Sequence, residues 1–217
     1  MGLAKAGPPV KQATPVRFPL LKRILDSLPQ FLSDTDSKLF KAAFSLAYFA
    51  SLRVSEYAVV GSSNHTLKKC NLDWHEGEGG LGLVLSLGSY KASERPCRLL
   101  VPPDSCKEAC PVKAMKEYLE VRPQGESKAA DPLFLQSSGR PLTGFLVNKT
   151  LRNSLRILGL SEKEFSAHSF RAGRTTDLVE MDTQDSVIRQ SGRWRSDAYL
   201  KYVRFDLFSL PRGVPSC

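Results

Sequence analysis

The segment from Leu39 to Ala50 is the strongest constraint on how this chain can fold. Nearly every position in it is apolar, so it has no polar face to turn toward water. A helix that is apolar on nearly all sides belongs in the interior of a domain. The polar run 33–36, Ser-Asp-Thr-Asp, supplies side chains that can cap the start of such a helix. Arg53 follows almost at once, so we expect a rigid buried helix to hold this cation at a fixed place in the fold.

The periodicity of the other segments predicts further helices. Apolar residues recur at helical spacing over several stretches. These stretches run from Arg17 to just before Pro29, from Pro111 to about Arg122, over 142–158, from Ser166 or Ala167 onward, and near 183–190 and 196–204. Gly159 is the predicted C-cap of the helix over 142–158.

Two short strands complete the predicted fold class, which is mostly α with a small antiparallel β-sheet. Residues 83–87 and 98–101 are rich in leucine and valine, and they bracket the turn-like run 88–96. Residues 61–80 are polar and end in several glycines, which predicts a loop or the tip of a hairpin.

The chain length allows one domain of ordinary size with a substantial core. Residues 1–16 carry three prolines, two glycines and two lysines without an apolar period, so we expect a flexible linker or tail there. The predicted domain covers residues 17–210, and residues 211–217 form a second short tail.

The charge balance favours a polyanionic partner, since the formal net charge is +9 at pH 7. Charge alone does not decide between nucleic-acid binding and an ordinary basic surface.

No apolar run approaches the length of a membrane span, and the N-terminus lacks a signal-peptide core. We therefore expect an intracellular protein without a membrane partner.

The cysteines do not indicate a disulfide framework or a metal site. There are five of them, at positions 70, 97, 106, 110 and 217. Inside a cell such thiols stay reduced. A zinc site could be imagined from His65, Cys70, His75, Cys106 and Cys110, but none of these pairs has the close spacing of structural zinc ligands. We expect free thiols and no bound metal.

The residues that carry chemistry are dispersed along the chain. His168 and Arg171 are three positions apart, which places them on one face of a helix. Two arginines can hold phosphate oxygens bidentately, a histidine transfers protons near neutral pH, and a tyrosine supplies an oxygen nucleophile. A lone His-x-x-Arg pattern is usually a solvated polar face. The specificity lies in the order of the motifs: Leu-Arg53-Val-Ser-Glu, His-x-x-Arg, Gly-x-Trp194, then Tyr202.

In that order and context, the chain resembles the catalytic domain of the tyrosine recombinases, also called phage integrases. The resemblance runs from about Arg17 to Phe208. The ending Gly-Arg-Trp-Arg-Ser-Asp-Ala-Tyr-Leu-Lys-Tyr-Val-Arg looks most like the recombinases of DIRS-type retrotransposons and cryptons. The resemblance implies double-stranded DNA as partner, self-association on DNA, no cofactor, no small-molecule substrate, and a nuclear location in a eukaryotic cell.

The resemblance also assigns roles to individual residues. The family's catalytic positions fall on Arg53, Lys91 in the hairpin, His168, Arg171, Trp194 and the nucleophile Tyr202. Lys91 has the alternative of an ordinary turn lysine, since Arg95 and Arg98 lie nearby. Ser51 stands where the family often has glycine. The interval from Trp194 to Tyr202 is one residue shorter than in bacterial members, which keeps Tyr199 as a rival nucleophile.

The implied reaction is cleavage and rejoining of DNA through a 3′-phosphotyrosyl intermediate. Recombinases of this family usually carry a separate N-terminal helical domain that completes a clamp around DNA. Two other functions remain open from the sequence. One is a catalytically silent, transposon-derived DNA-binding protein, and the other is a topoisomerase-like enzyme that relaxes DNA without exchanging strands.

Overall fold

A computed structural model describes residues 13–62, 65–88, 96–123 and 131–203 of the chain. It confirms the mostly α fold with a small antiparallel sheet. The α-helices are α1 (Phe18–Ser27), α2 (Asp34–Phe49), α3 (Val54–Tyr57), α4 (Pro111–Val121), α5 (Gly144–Ile157), α6 (His168–Glu180) and α7 (Asp185–Gly192). Short 3₁₀ turns occupy Leu28–Gln30, Lys69–Asn71, Glu162–Glu164 and Asp197–Tyr202. None of the helices in these ranges is long and apolar enough to cross a membrane.

Helix α2 lies at the centre of the core, as its apolar sequence predicts. The hydroxyl of Ser33 accepts a hydrogen bond from the backbone N–H of Asp36 at 3.2 Å, which caps the helix start. The helix packs against α1, α4 and α6. Its Phe44 ring lies 4.7 Å from the ring of Phe170 on α6, between centroids. Each fully buried side chain of this size contributes about 1.5–3 kcal/mol, so α2 fixes the position of α6 firmly.

The sheet has three strands in the order β1 (Leu72–Gly77), β2 (Gly80–Leu87) and β3 (Cys97–Val101), all antiparallel. Leu83, Leu85 and Leu87 turn one face of β2 into the core. The expectation of a loop or the tip of a hairpin over 61–80 holds at its end, where Gly77 and Gly80 close the β1–β2 hairpin, but it missed strand β1. This strand lies at the edge of the sheet with exposed side chains, so its backbone pairs with β2 although its sequence carries no apolar alternation.

The segment before α1 packs against α6. The backbone N–H of Val16 donates to the carbonyl of Ser169 at 2.8 Å, and that of Thr14 donates to Glu164 at 2.7 Å. Val16 is fully buried. A Cβ on Gly173 would lie 1.7 Å from the Val16 carbonyl oxygen, so only glycine allows this approach. The packed part of the domain therefore includes residues that the sequence placed in the linker. Residues 1–12, 124–130 and the predicted tail 211–217 lie outside the described residues.

Asp177 joins α6 to the elements beside it. Its buried carboxylate accepts hydrogen bonds from the guanidinium of Arg17, from the backbone N–H of Phe18 and from the hydroxyl of Tyr48. Burial raises the pKa of Tyr48, and the negative charge of Asp177 raises it further. Tyr48 therefore stays protonated and acts as a hydrogen-bond donor. The contacts hold α1, α2 and α6 in one arrangement.

Candidate active site

Arg53 occupies the turn that follows α2 and precedes α3. Ser51 adopts a left-handed conformation with φ of 45°, which turns the chain sharply at the end of α2. Arg53 is the N-cap residue of α3. The carboxylate of Glu56 accepts from the backbone N–H of Arg53 at 2.7 Å and from its guanidinium at 3.1 Å. The Arg53 side chain remains 33% exposed, so it is held in place while still facing solvent.

Arg171 is fully buried on α6. Its guanidinium donates to the carbonyl of Ser51 and, at 2.6 Å, to the carbonyl of Gly192. The guanidinium carbon lies 4.2 Å from the centroid of the Trp194 ring and 5.4 Å from that of Tyr202. Burial lowers the pKa of Arg171 to about 10, and the neighbouring positive charges lower it as well. The side chain nevertheless stays cationic at neutral pH.

His168 is the first residue of α6. Its backbone N–H donates to the hydroxyl of Ser166 at 3.3 Å, and the residue remains exposed. Loss of hydration beside the surrounding protein lowers its pKa below the ordinary value of 6.5, and the positive charges of Arg171 and Arg53 lower it further. The imidazole is therefore neutral at pH 7 and able to accept a proton. His168 lies on the same helix as Arg171, three residues before it.

Trp194 follows the sharp turn that ends α7. A Cβ on Gly192 would lie 1.7 Å from a carbon of the Trp194 ring, so the ring lies directly against the glycine. The Trp194 centroid is 5.5 Å from that of Tyr202 and 6.1 Å from that of Tyr199. The tryptophan thus packs between two tyrosines and under the guanidinium of Arg171.

The two tyrosines differ in their surroundings. Tyr199 is 4% exposed, and its hydroxyl donates to a carboxylate oxygen of Asp185 at 2.7 Å. This hydrogen bond raises the pKa of Tyr199. Tyr202 is less buried, and its ring faces the guanidinium of Arg171. Tyr199 is therefore held by packing and by a hydrogen bond, whereas Tyr202 is more exposed and lies beside a cation.

Sequence reasoning missed the buried ion pair of Glu56 with Arg193. Arg193 is 7% exposed, and its guanidinium donates to Glu56 at 2.7 Å. Glu56 carried a signal, because it follows Arg53 at the helical spacing of three. Arg193 carried none, because an arginine next to a tryptophan gives no indication of burial in a sequence.

Lys91 lies outside the described residues, together with Arg95. The predicted strands that flank them are β2 and β3, with Leu87 paired to Cys97. In the part of the chain that the structure describes, no group of three or more His, Cys, Asp or Glu side chains could hold a metal ion. The described cysteines at 70, 97, 106 and 110 are free thiols.

A basic groove adjoins the site along α5. It has a volume of about 710 Å³, and its lining includes Lys149, Arg152 and Arg156. The side chain of Asn148 accepts from the backbone N–H of Ala167, immediately before His168, at 2.9 Å. The groove and the histidine are therefore parts of one connected surface.

The Phage integrase family model matches residues 20–204, and the chain belongs to this family. Among solved structures, XerH site-specific recombinase in a pre-cleavage complex with its difH substrate matches with a TM-score of 0.65 and 17% identity, over 91% of this chain and 52% of that one. XerA recombinase matches with a TM-score of 0.64 and 18% identity, over 91% and 62%. The Tn1549 transposon integrase (residues 82–397), with circular intermediate DNA, matches with a TM-score of 0.55 and 14% identity, over 94% and 64%.

At these identities the likeness shows the fold. The chain spans about half the length of the XerH recombinase that it matches. A comparison with curated protein sequences finds no significant relative.

Proposed function

We propose that this chain is the catalytic domain of a site-specific DNA recombinase, which cleaves and rejoins DNA through a 3′-phosphotyrosyl intermediate. One observation carries the proposal. The buried guanidinium of Arg171 lies against the rings of Trp194 and Tyr202 and bonds to the carbonyl of Ser51, two residues before Arg53. His168 begins the helix that carries Arg171, which also supports the proposal.

Both arginines act on the scissile phosphate in this proposal, but only Arg53 is exposed enough to contact it. Arg53 approaches from the exposed side, and Arg171 supplies positive charge from below. Together they neutralise the non-bridging oxygens and the charge that develops in the pentavalent transition state. Fixed cations in a partly desolvated site are worth more than the same charges in water.

Proton transfer falls to His168 and to Lys91. The neutral imidazole of His168 accepts the phenolic proton as Tyr202 attacks the phosphorus. The bond from phosphorus to the 5′-oxygen breaks, and Lys91 gives that oxygen a proton, a step worth about 10²–10⁴-fold. The phosphotyrosyl bond conserves the energy of the broken link, so rejoining by a 5′-hydroxyl requires neither metal nor nucleotide.

The partner in this proposal is double-stranded DNA, held partly by the basic groove along α5. Lys149 and Arg152 suit contacts to phosphates, which give affinity without reading sequence, whereas Arg156 is paired with Glu162 at 2.5 Å. Self-association on DNA is part of the same proposal. Lambda integrase, a fold neighbour with a TM-score of 0.55, was solved as a tetramer bound to a Holliday junction.

The test is covalent trapping on a DNA duplex with a nick near the cleavage site or a 5′-bridging phosphorothiolate. We expect a protein–DNA band that survives denaturation, that forms in excess EDTA and that Tyr202→Phe abolishes. The Tyr202→Phe protein should still bind DNA, because only one hydroxyl is lost. DNA binding without any covalent band from the unmutated protein would instead identify a catalytically silent DNA-binding protein.

A further inference from the structure

Arg193 occupies a backbone conformation that is unfavourable for an arginine. Its φ is 58° and its ψ is 41°, in the left-handed region. This conformation costs an L-residue roughly 1–2 kcal/mol. Its guanidinium is also buried, which adds a desolvation penalty that only good partners can offset. A residue that is unfavourable in both respects must be stabilised by specific contacts.

Those contacts lead to the turn that carries Arg53. One nitrogen of the Arg193 guanidinium donates to the carbonyl of Ala50 at 3.1 Å. The other donates to Glu56 at 2.7 Å and to the carbonyl of Ser51 at 3.4 Å. With a further contact to the carbonyl of Ser191 at 3.5 Å, the planar guanidinium reaches four acceptors, whereas a lysine offers a single point charge.

Glu56 is shared between two arginines. The oxygen that accepts from Arg193 also accepts from the backbone N–H of Arg53, and the other oxygen accepts from the Arg53 guanidinium at 3.1 Å. Arg193 therefore restrains the carboxylate from one side. Without it, both oxygens would be free to reorient toward Arg53 and draw that guanidinium away from solvent.

We propose that Arg193 is a positioning residue for DNA cleavage, acting through Glu56 to hold Arg53 in the place where it meets the scissile phosphate. The inference rests on the proposed recombinase function. Arg193 does not itself contact DNA in this account, because it is buried. Its neighbour Trp194 packs under Arg171, so the same turn connects the two arginines of the site.

The experiment compares Arg193→Gly with the unmutated protein on the trapping substrate. Glycine accepts the left-handed conformation, so the variant removes the guanidinium without adding backbone strain. The matched control is Arg195→Ala, which removes an exposed arginine two positions away. The rate of covalent adduct formation at saturating DNA is measured separately from the DNA Kd, at a temperature well below the Tm of both proteins.

We expect Arg193→Gly to slow adduct formation by about 10²-fold at saturating DNA, the usual effect of misplacing a catalytic group by about 1 Å. The Kd and the circular dichroism spectrum should change little, and the control should keep the normal rate. A residue with a merely structural role would lower the Tm and leave this rate unchanged, which would overturn the inference.

A double-variant comparison tests whether the effect passes through Arg53. In an Arg53→Lys background, adding Arg193→Gly should cause less than about a tenfold further loss, because residues that act as a unit are not additive. A full additional loss would mean that Arg193 acts elsewhere, and the inference would be wrong.

If Arg193→Gly does not fold, Arg193→Lys tests the positioning role instead, because lysine keeps the positive charge but lacks the planar guanidinium. We expect it to lose about tenfold in rate, and a normal rate would refute the positioning role. Failure of the unmutated protein to form any adduct would overturn the recombinase proposal and this inference together. A normal adduct in both the unmutated and the Arg193 proteins would refute this inference alone.

Discussion

Replacing Ser51 with glycine should stabilise the protein. Ser51 has a φ of 45° and is fully buried. Among the residues that the structure describes, its hydroxyl has no hydrogen-bond partner. Glycine removes a left-handed strain of roughly 1–2 kcal/mol and an unpaired buried hydroxyl worth about 1–3 kcal/mol. Against this stand the extra backbone entropy of glycine, about 0.5–1 kcal/mol, and a small cavity.

We expect the free energy of unfolding to rise by about 1–2 kcal/mol. For a domain of this size, each kcal/mol raises the Tm by roughly 2–4 °C. Urea unfolding followed by circular dichroism measures it, with an unchanged slope against denaturant as the check that the unfolded state is the same. Ser51→Ala is the control, since it removes the hydroxyl but keeps the strained Cβ. It should gain less than glycine does. A glycine variant that is less stable than the unmutated protein would refute this reasoning.

Other expectations concern the same surroundings. Gly192→Ala should displace the Trp194 ring and destabilise the protein by about 1–3 kcal/mol, seen as a lower Tm and altered tryptophan fluorescence; an unchanged spectrum would contradict the packing. Gly173→Ala should push the Val16 segment off α6, which faster amide exchange near Val16 would report. The adduct rate should fall as the pH drops through a value below 6.5, because the pKa of His168 is lowered from that ordinary value and protonation removes the base. His168→Gln should remove that fall, and a decline that begins above pH 7 would exclude the assignment. DNA affinity should drop steeply as salt rises, since phosphate contacts release counterions, and salt-independent binding would refute the electrostatic account.

Much of the helical fold could be predicted because its signals are local. Three elements carry such signals in their own residues. These are the apolar run in α2, the proline at the start of α4, and Gly159 after α5, which has a φ of 70°. Strand β1 could not be predicted in this way. Its side chains are exposed, and it exists because β2 offers a partner for its backbone.

The residues of the candidate site also differ in whether their signals are local. That His168 and Arg171 lie on one helix could be predicted from their spacing, whereas the role of Tyr202 stays a prediction based on the motif that it ends. The buried pair of Arg193 and Glu56 joins positions 137 residues apart in the sequence. A contact between residues so far apart cannot be predicted from a local sequence pattern. The packing of Val16 against α6 escaped prediction for the same reason, since the segment around it looks like a linker.

The central claim is that Tyr202 forms the covalent bond to DNA, and the position of the adduct tests it most directly. The trapped complex is digested with nuclease and with trypsin, which cuts after Arg195, Lys201 and Arg204 and so separates the two tyrosines onto different peptides. The account predicts a nucleotide on the peptide Tyr-Val-Arg that begins at Tyr202. A nucleotide on the peptide that contains Tyr199, or no modified peptide at all, would contradict it.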